Sequence, residues 1–270
     1  MSTILLQLSD LHLFAEPERV LRGVPTRDSL IEVLEAVRQT GIDFDRVVVT
    51  GDFTHDERRE TYQSVNGLLE EWLDRCHVLP GNHDDRGLLS EVFTDQAGGT
   101  DRGICFSESV GGWRLIGIDT HVPGEVPGRI EPAMLAWLER ELAQHAAEPT
   151  VVFQHHPPIS VGSAWLDAIG LRDAEPYRKL IAASPQVRVI SCGHVHQECV
   201  GTLGGAVVLT VPSTGVQFTP LTAKARVDSI PPGFRIFVLE RPCDTESVVS
   251  AVWSTRVVRL SKVTFPAADE

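Results

Sequence analysis

The stretch 189–197 reads VISCGHVHQ: an apolar run breaks off at Cys192, Gly193 follows, and His194 and His196 stand with one valine between them. A β-branched run that stops at a glycine reads as a strand running into a turn. Alone, the two histidines fit an ordinary loop as well as a pair of ligands. The same pattern returns elsewhere, however. ILLQL at 4–8 leads into Ser9-Asp10-Leu11-His12, and RVVVT at 46–50 into Gly51-Asp52. CHVLP at 76–80 leads into Gly81-Asn82-His83-Asp84, and TVVF at 150–153 into Gln154-His155-His156-Pro157. Each apolar run delivers Asp, Asn or His at its end.

Between these runs lie helical patterns. Leu30, Val33, Leu34 and Val37 recur at helical spacing, with Gly41 as a stop. Tyr62, Val65, Leu68, Leu69 and Trp72 predict a second helix. Leu135, Leu138 and Leu142 predict a third, with Pro132 suited to its first turn. A further strand is expected at 114–118. Past Val195 the pattern turns mostly β, with strands expected at 200–203, 206–211, 234–239 and 248–260. Strand–helix alternation followed by strands predicts an α/β fold with two sheets packed between helices. No linker divides the chain, so residues 1–270 read as one domain, whose segment 241–270 carries no recognisable motif.

Composition narrows the function classes. With 42% hydrophobic and 23% charged residues, the chain has the make-up of a soluble globular protein. A net charge of −13 argues against nucleic acid or an anionic membrane as a general partner. A small anionic substrate stays open, because a bound metal can invert the local field. The five cysteines, Cys76, Cys105, Cys192, Cys199 and Cys243, are odd in number and form no C-x-x-C. Neither a disulfide framework nor a thiolate zinc site is expected. There is no basic leader and no apolar run of roughly 18 residues, so neither a signal peptide nor a transmembrane helix is expected. A cytoplasmic setting is the expectation; the sequence sets no oligomeric state, and a homodimer is open.

In an α/β sheet, ligands bind at the carboxyl ends of the strands. Six of the ten histidines fall in the five strand-end segments. Asp10, His12, Asp52, Asn82, His155, His194 and His196 are candidate ligands: too many for one ion, about right for two. Carboxylate, imidazole and amide oxygen without thiolate suit Mn, Fe, Zn or Co. In D-x-H and H-x-H an extended backbone would send both side chains to one side. Two ions about 3.5–4 Å apart, sharing a carboxylate and a hydroxide, form an in-line displacement site for phosphate esters. Two dications against Asp10, Asp52 and one hydroxide leave a net charge of about +1, favourable to a phosphodiester anion.

In this order, Asp10/His12, Gly51-Asp52, Gly81-Asn82-His83-Asp84, His155-His156-Pro157 and Gly193-His194-Val195-His196 resemble the calcineurin-like metallophosphoesterase superfamily. The resemblance implies a four-layer α/β/β/α sandwich with two mixed sheets. It implies one metal on Asp10, His12, Asp52 and His196. The other would sit on Asp52, Asn82, His155 and His194, with Asp52 bridging. Iron and manganese are the expected ions, with zinc and cobalt as alternatives. It further implies that His83 contacts the phosphate and assists the leaving group, that Asp84 orients His83, and that Asn82 and His196 also face substrate. Leu11–Phe14, SAWLD at 163–167 with Leu171-Arg172, CGHVHQE at 192–198, PSTGVQFTP at 212–220, Asp228-Ser229-Ile230 and PGFR at 232–235 resemble the bacterial class III 3′,5′-cyclic-AMP phosphodiesterases. That implies hydrolysis of cyclic AMP to 5′-AMP by a metal-bridging hydroxide. Asp167, Arg172 and the loop 214–220 are then candidates for holding the nucleotide. The alternatives are another phosphodiester in the same site (a glycerophosphodiester, a 2′,3′-cyclic nucleotide or a lipid-linked pyrophosphate) and a non-catalytic scaffold.

Other polar residues take simpler readings. His77 and His145 read as structural, and His156 as packed behind Pro157 or near substrate. His121, after Asp119-Thr120, could stand behind the ligands or beside the substrate. Where the superfamily often carries an acid or amide three residues past Asp52, this chain has His55, read as a solvated turn histidine. Ser9, Thr50, Ser191 and Ser213 could suggest a serine hydrolase, but no G-x-S-x-G elbow occurs. Cys192 reads as a small buried residue.

Overall fold

The computed structural model describes residues 2–100, 102–240 and 248–262. The first half runs β1 (Thr3–Leu8), α1 (Thr26–Gln39), β2 (Arg46–Thr50), α2 (Arg59–Leu68), β3 (Cys76–Leu79) and α3 (Arg86–Val92). A ribbon of β4 (Gly99–Thr100) and β5 (Gly103–Ile104), then β6 (Phe106–Val110), β7 (Trp113–Gly117) and α4 (Pro132–Gln144) follow. Next come β8 (Thr150–Gln154), α5 (Ala164–Asp167), α6 (Glu175–Ala182), β9 (Val187–Cys192), β10 (Val200–Leu203) and β11 (Ala206–Thr210). The ribbon β12 (Gln217–Phe218) and β13 (Val227–Asp228) precedes β14 (Gly233–Leu239) and β15 (Trp253–Arg259).

Two mixed sheets result. The first has the order β15-β14-β1-β2-β3, the second β10-β11-β9-β8-β7-β6. β1, β2 and β3 are parallel, as are β7, β8, β9 and β11. β14 and β15 in the first sheet, and β6 and β10 in the second, run antiparallel to their neighbours. Alternation along the second sheet accounts for the layers. Leu115, Val151, Val189 and Leu209 face the core shared with the first sheet and with α1 and α2. Their neighbours Ile116, Val152, Ile190 and Val208 face Met134, Leu138, Tyr177 and Ile181 of α4 and α6. Side chains one residue apart leave a strand on opposite faces, so each strand feeds two cores. The expected helix–sheet–sheet–helix sandwich is what forms.

Some expectations need correction. The second helix does not run through Trp72: α2 gives way at Leu69 to a 3-10 turn, Glu70–Arg75. At three residues per turn, Leu69 and Trp72 lie one above the other, and both are buried. The strand expected at 248–260 splits into a short turn, Val248–Ser250, and β15. β6 was not expected, because FSESV at a sheet edge lacks an apolar run. Cys243, with the rest of 241–247, and the tail 263–270 lie outside the described residues. Among the described residues, no helix is long and apolar enough to cross a membrane.

Candidate metal centre and its cleft

The carboxyl ends of β1, β2 and β3 in one sheet and of β8 and β9 in the other converge on one rim. Hydrogen bonds between the strand-end loops hold them there. Asp10 donates its N–H to Gly51 O (3.0 Å), and His12 donates its own to Asp52 O (2.9 Å). His194 N–H is donated across to the Asp10 carboxylate at 3.0 Å. These loops are not extended, contrary to the expectation for D-x-H and H-x-H. Asp10, His12, Asp52, His194 and His196 all take left-handed φ, between 49° and 71°. Each such residue costs roughly 1–2 kcal/mol, and the cross-loop bonds hold them in place.

Close approach dictates the glycine in the opening stretch. A Cβ on Gly193 would fall 2.0 Å from Ser9 Oγ and 3.0 Å from Thr50 O. Gly81 is similarly pressed, since a Cβ there would fall 2.1 Å from Asp52 Oδ1.

Two groups of candidate ligand atoms form around one shared oxygen. His12 Nε2 lies 3.0 Å from His196 Nε2 and 3.4 Å from Asp52 Oδ2. His196 Nε2 lies 3.4 Å from Asp10 Oδ1. On the other side of Asp52 Oδ2, His155 Nε2 stands at 3.5 Å. Asn82 Oδ1 is 3.3 Å from His155 Nε2 and 2.9 Å from His194 Nδ1. Asp10, His12, Asp52 and His196 have the spacing of a metal site.

The donor set fits cations. His155 Nδ1 donates to Thr50 O (2.7 Å) and His196 Nδ1 to Val216 O (2.8 Å). A carbonyl can only accept, so in a neutral ring each Nε2 turns a bare lone pair into the cluster. There it meets carboxylate and amide oxygens, which also only accept. Acceptors crowded on acceptors in a buried site call for positive charge between them.

Without a cation, a proton on His155 answers part of that need. Burial keeps His12 neutral, its pKa well below the usual value, and holds His194 down to about 3. Burial also opposes a charge on His155, but the Asp52 carboxylate outweighs it and raises that imidazole to about 9. Burial works against Asp52 too, yet His155, His83 and His12 hold it well below the carboxylate range. The field that keeps a proton on His155 is one that favours a dication.

The remaining expected residues divide. His83 stands at the rim, and its N–H is donated to Asp52 Oδ1 (2.8 Å). Asp84 does not orient the His83 ring. Its carboxylate accepts from Gly81 N–H (2.8 Å), Phe53 N–H (3.0 Å) and Tyr62 O–H (3.2 Å), pinning the two ligand loops together. Burial and the Asp52 charge push Asp84 up to about 7. The ring that supports His83 is His55, stacked on it at 4.5 Å and 3.3 Å from His12 Nδ1. His55 is thus part of the rim and not a solvated turn residue.

Asp167 accepts from Ser160 O–H (2.6 Å) and Val161 N–H (2.7 Å), holding its own loop. Arg172 pairs with Glu125 (2.6 Å) and bonds through its N–H to Gly128 O, which draws it away from the rim. Neither lines the cleft above the ligands. That cleft, about 280 Å³, is bordered by His12, Asp52, Asn82, His83, His194 and His196. Its far side consists of Leu21, Arg22, Val126, Trp165, Ile169 and Phe218. The sequence offered Trp165 and Phe218 only as members of longer motifs, and Arg22 carried no signal.

The simpler readings mostly describe what is seen. His156 bonds to Thr120 Oγ1 and Val126 O through its two ring nitrogens. His77 sits between Glu108 and the Phe106 ring, and His145 between Arg114 and Glu148. His121 is buried, and its Nδ1 has no partner among the described residues. Ser9, Thr50 and Ser213 donate to the carbonyls of Thr50, Leu8 and Asp10, and Ser191 to Gln7. Those hydroxyls brace the strand ends. Cys192 is fully buried.

Comparison with known proteins gives the same picture. The profile of a family described as calcineurin-like phosphoesterase matches residues 4–198. The chain is 34% identical over 252 residues to a 3′,5′-cyclic adenosine monophosphate phosphodiesterase, CpdA, of Escherichia coli K12, covering 93% of this chain and 90% of that one. It is 33% identical to a cAMP/cGMP dual specificity phosphodiesterase of Mycobacterium tuberculosis, over 78% of this chain and 67% of the other. Among solved structures, a dimetal phosphatase from Danio rerio shares the fold, with a TM-score of 0.64 at 19% identity, covering 88% of this chain and 94% of that one.

Proposed function

Since the chain belongs to the calcineurin-like phosphoesterase family, we propose that it is a metal-dependent phosphodiesterase that opens the ring of 3′,5′-cyclic AMP to give 5′-AMP. The observation that carries this reading is the shared Asp52 oxygen, 3.4 Å from His12 Nε2 and 3.5 Å from His155 Nε2. Asp10, His12, Asp52 and His196 hold one divalent ion, and Asp52, Asn82, His155 and His194 the other. Iron or manganese is the expected occupant. When bound, such a pair supplies Lewis-acid charge for the phosphoryl oxygens and lowers the pKa of water.

The chain's own groups do the rest. His83 and the Asn82 amide face the phosphoryl group as charge builds on it. As the bond from water oxygen to phosphorus forms and the P–O3′ bond breaks, His83 delivers the proton that the 3′ oxygen takes, and the proton given up by the attacking water restores His83. His55 steadies the His83 ring, and Asp84 fixes the spacing of the Asp52 and Asn82 loops. Each proposed ion draws ligands from both sheets, which supports reading residues 1–270 as one domain.

The test is a metal-supplemented screen of cyclic AMP, cyclic GMP, 2′,3′-cyclic AMP and a simple aryl phosphodiester. Preference for the 3′,5′-cyclic nucleotides is expected; preference for the 2′,3′-cyclic or aryl ester moves the substrate elsewhere in the same site. Asn82→Ala should lower turnover on the order of 10²-fold or more while the fold persists. Full turnover by that variant with both metals retained would refute the ligand assignment. A metal content well below one ion per chain under metal-replete conditions favours a scaffold instead.

A further inference from the structure

The far side of the cleft holds groups that metal chemistry does not need. Phe218 lies half-buried on β12, and its N–H is donated to His196 O at 3.4 Å, so the ring is tied to a ligand loop. Its face is tilted 31° from the His196 ring at 4.9 Å. Trp165 of α5 meets it edge-on, with centroids 5.0 Å apart at 85°, which braces it from behind. Above the Phe218 ring, at 5.8 Å, is the Arg22 guanidinium.

Arg22 stands over the ring without a described acid beside it. The chain carries a net charge of −13, yet among the described residues no carboxylate lies within 4 Å of this guanidinium. Its backbone is firmly mounted. Leu21 and Val24 exchange N–H···O bonds of 2.9 Å, and the two residues between them have φ of 47° and 79°. Two left-handed central residues are the mark of a tight I′ hairpin turn. The side chain remains free above a rigid turn, 5.8 Å from the ring, looser than a close stacking contact.

A planar aromatic face, an unpaired planar cation above it and a proposed anion site beside it define a ligand chemistry. It is a phosphorylated sugar joined to an aromatic heterocycle that bears hydrogen-bond acceptors. The cleft's volume of about 280 Å³ is near the lower end of small-molecule sites, roughly 300 Å³. We propose that Phe218 and Arg22 form the nucleobase subsite: the base stacks on Phe218, and the planar Arg22 guanidinium closes over its other face. This rests on the cyclic-nucleotide reading above and adds to it the residues that distinguish a nucleotide from a bare phosphodiester.

The metal-replete enzyme tests it through inhibition of cyclic AMP hydrolysis by 5′-AMP and by ribose 5-phosphate, which lacks the base. The wild type should bind 5′-AMP the more tightly. Phe218→Ala should shrink that preference by roughly ten-fold, the scale of one base–aromatic stack, and Phe218→Trp should keep it. Arg22→Ala should shrink it too. Metal content and circular dichroism identify a variant that fails to fold, and Phe218→Trp and Arg22→Ala then decide the matter. An unchanged preference in Phe218→Ala, or its loss in Phe218→Trp, overturns the stacking assignment. Equal weakening of both inhibitors by Arg22→Ala makes Arg22 a phosphate contact and overturns its assignment to the base. A wild type that does not hydrolyse cyclic AMP overturns the parent reading and this one with it. Hydrolysis with unchanged preference overturns this one alone.

Discussion

At the scale of single residues, backbone room decides the site as much as ligand chemistry does. Gly193 sits where three atoms of two other strand ends converge, one of them a main-chain carbonyl that cannot move without its strand. Gly193→Ala should therefore displace the Asp10 loop. We expect a loss of about 1–3 kcal/mol in stability, the usual cost of overpacking, together with reduced metal content. Thermal unfolding and metal analysis would check both. Normal loading and an unchanged melting point would show that the Asp10 loop can yield. The Asp84 carboxylate is a comparable case. Its position after GNH suggested a partner for His83, but two loop N–H groups and the Tyr62 hydroxyl of α2 claim it instead. Sequence proximity does not reveal which neighbour a buried acid will serve.

At the scale of elements, one ionic cluster clips the two sheets together. Arg46 on β2 and His77 on β3 both bond to Glu108 on β6, at 2.6 and 2.7 Å. Burial opposes the Glu108 charge, but His77 and Arg46 together outweigh it and hold the acid down to about 2. A carboxyl depressed in the folded state stabilises fully above its unfolded pKa, about 4.5. That stability is lost as pH falls toward 2. Glu108→Gln should cost about 1–2 kcal/mol at neutral pH, allowing for solvent around a partly exposed side chain. The gap between variant and wild type should close between pH 4.5 and 2. Urea unfolding across that range measures it, and a constant gap would exclude the ionic origin.

The parallel strands were readable because burial on both faces writes continuous apolar runs, as in RVVVT and TVVF, and the long helices because one buried face repeats apolar residues at helical spacing. β6 was not, since an edge strand needs only one apolar face. The strand ends that carry the candidate ligands were legible from residue type alone. The left-handed backbone beneath them was not, because Asp and His carry no strong signal for it. The aromatic wall of the cleft depends on where α5 and β12 pack, which no local spacing records.

At the scale of the whole molecule, the two sheets meet at the proposed ions. One quartet takes Asp10, His12 and Asp52 from the first sheet and His196 from the second. The other takes Asp52 and Asn82 from the first, and His155 and His194 from the second. Metal should consequently stabilise the packing of sheet on sheet. Chelation is expected to abolish hydrolysis and to lower the unfolding midpoint. Restoring a dication at about a hundred times its Kd should return about 2.7 kcal/mol. A midpoint indifferent to metal would mean that the cluster is held by the protein alone.

The pairing of β1 with β14, Thr3 opposite Leu239, sets the order of events during biosynthesis. β14 begins 230 residues after β1 does, from Thr3 to Gly233. At about 5–20 residues per second, a ribosome leaves β1 with a bare edge for roughly ten seconds or longer. Unpaired strand edges recruit other chains, so the polypeptide is vulnerable until β14 emerges. The yield of folded protein should therefore depend on how well chaperones cover that interval.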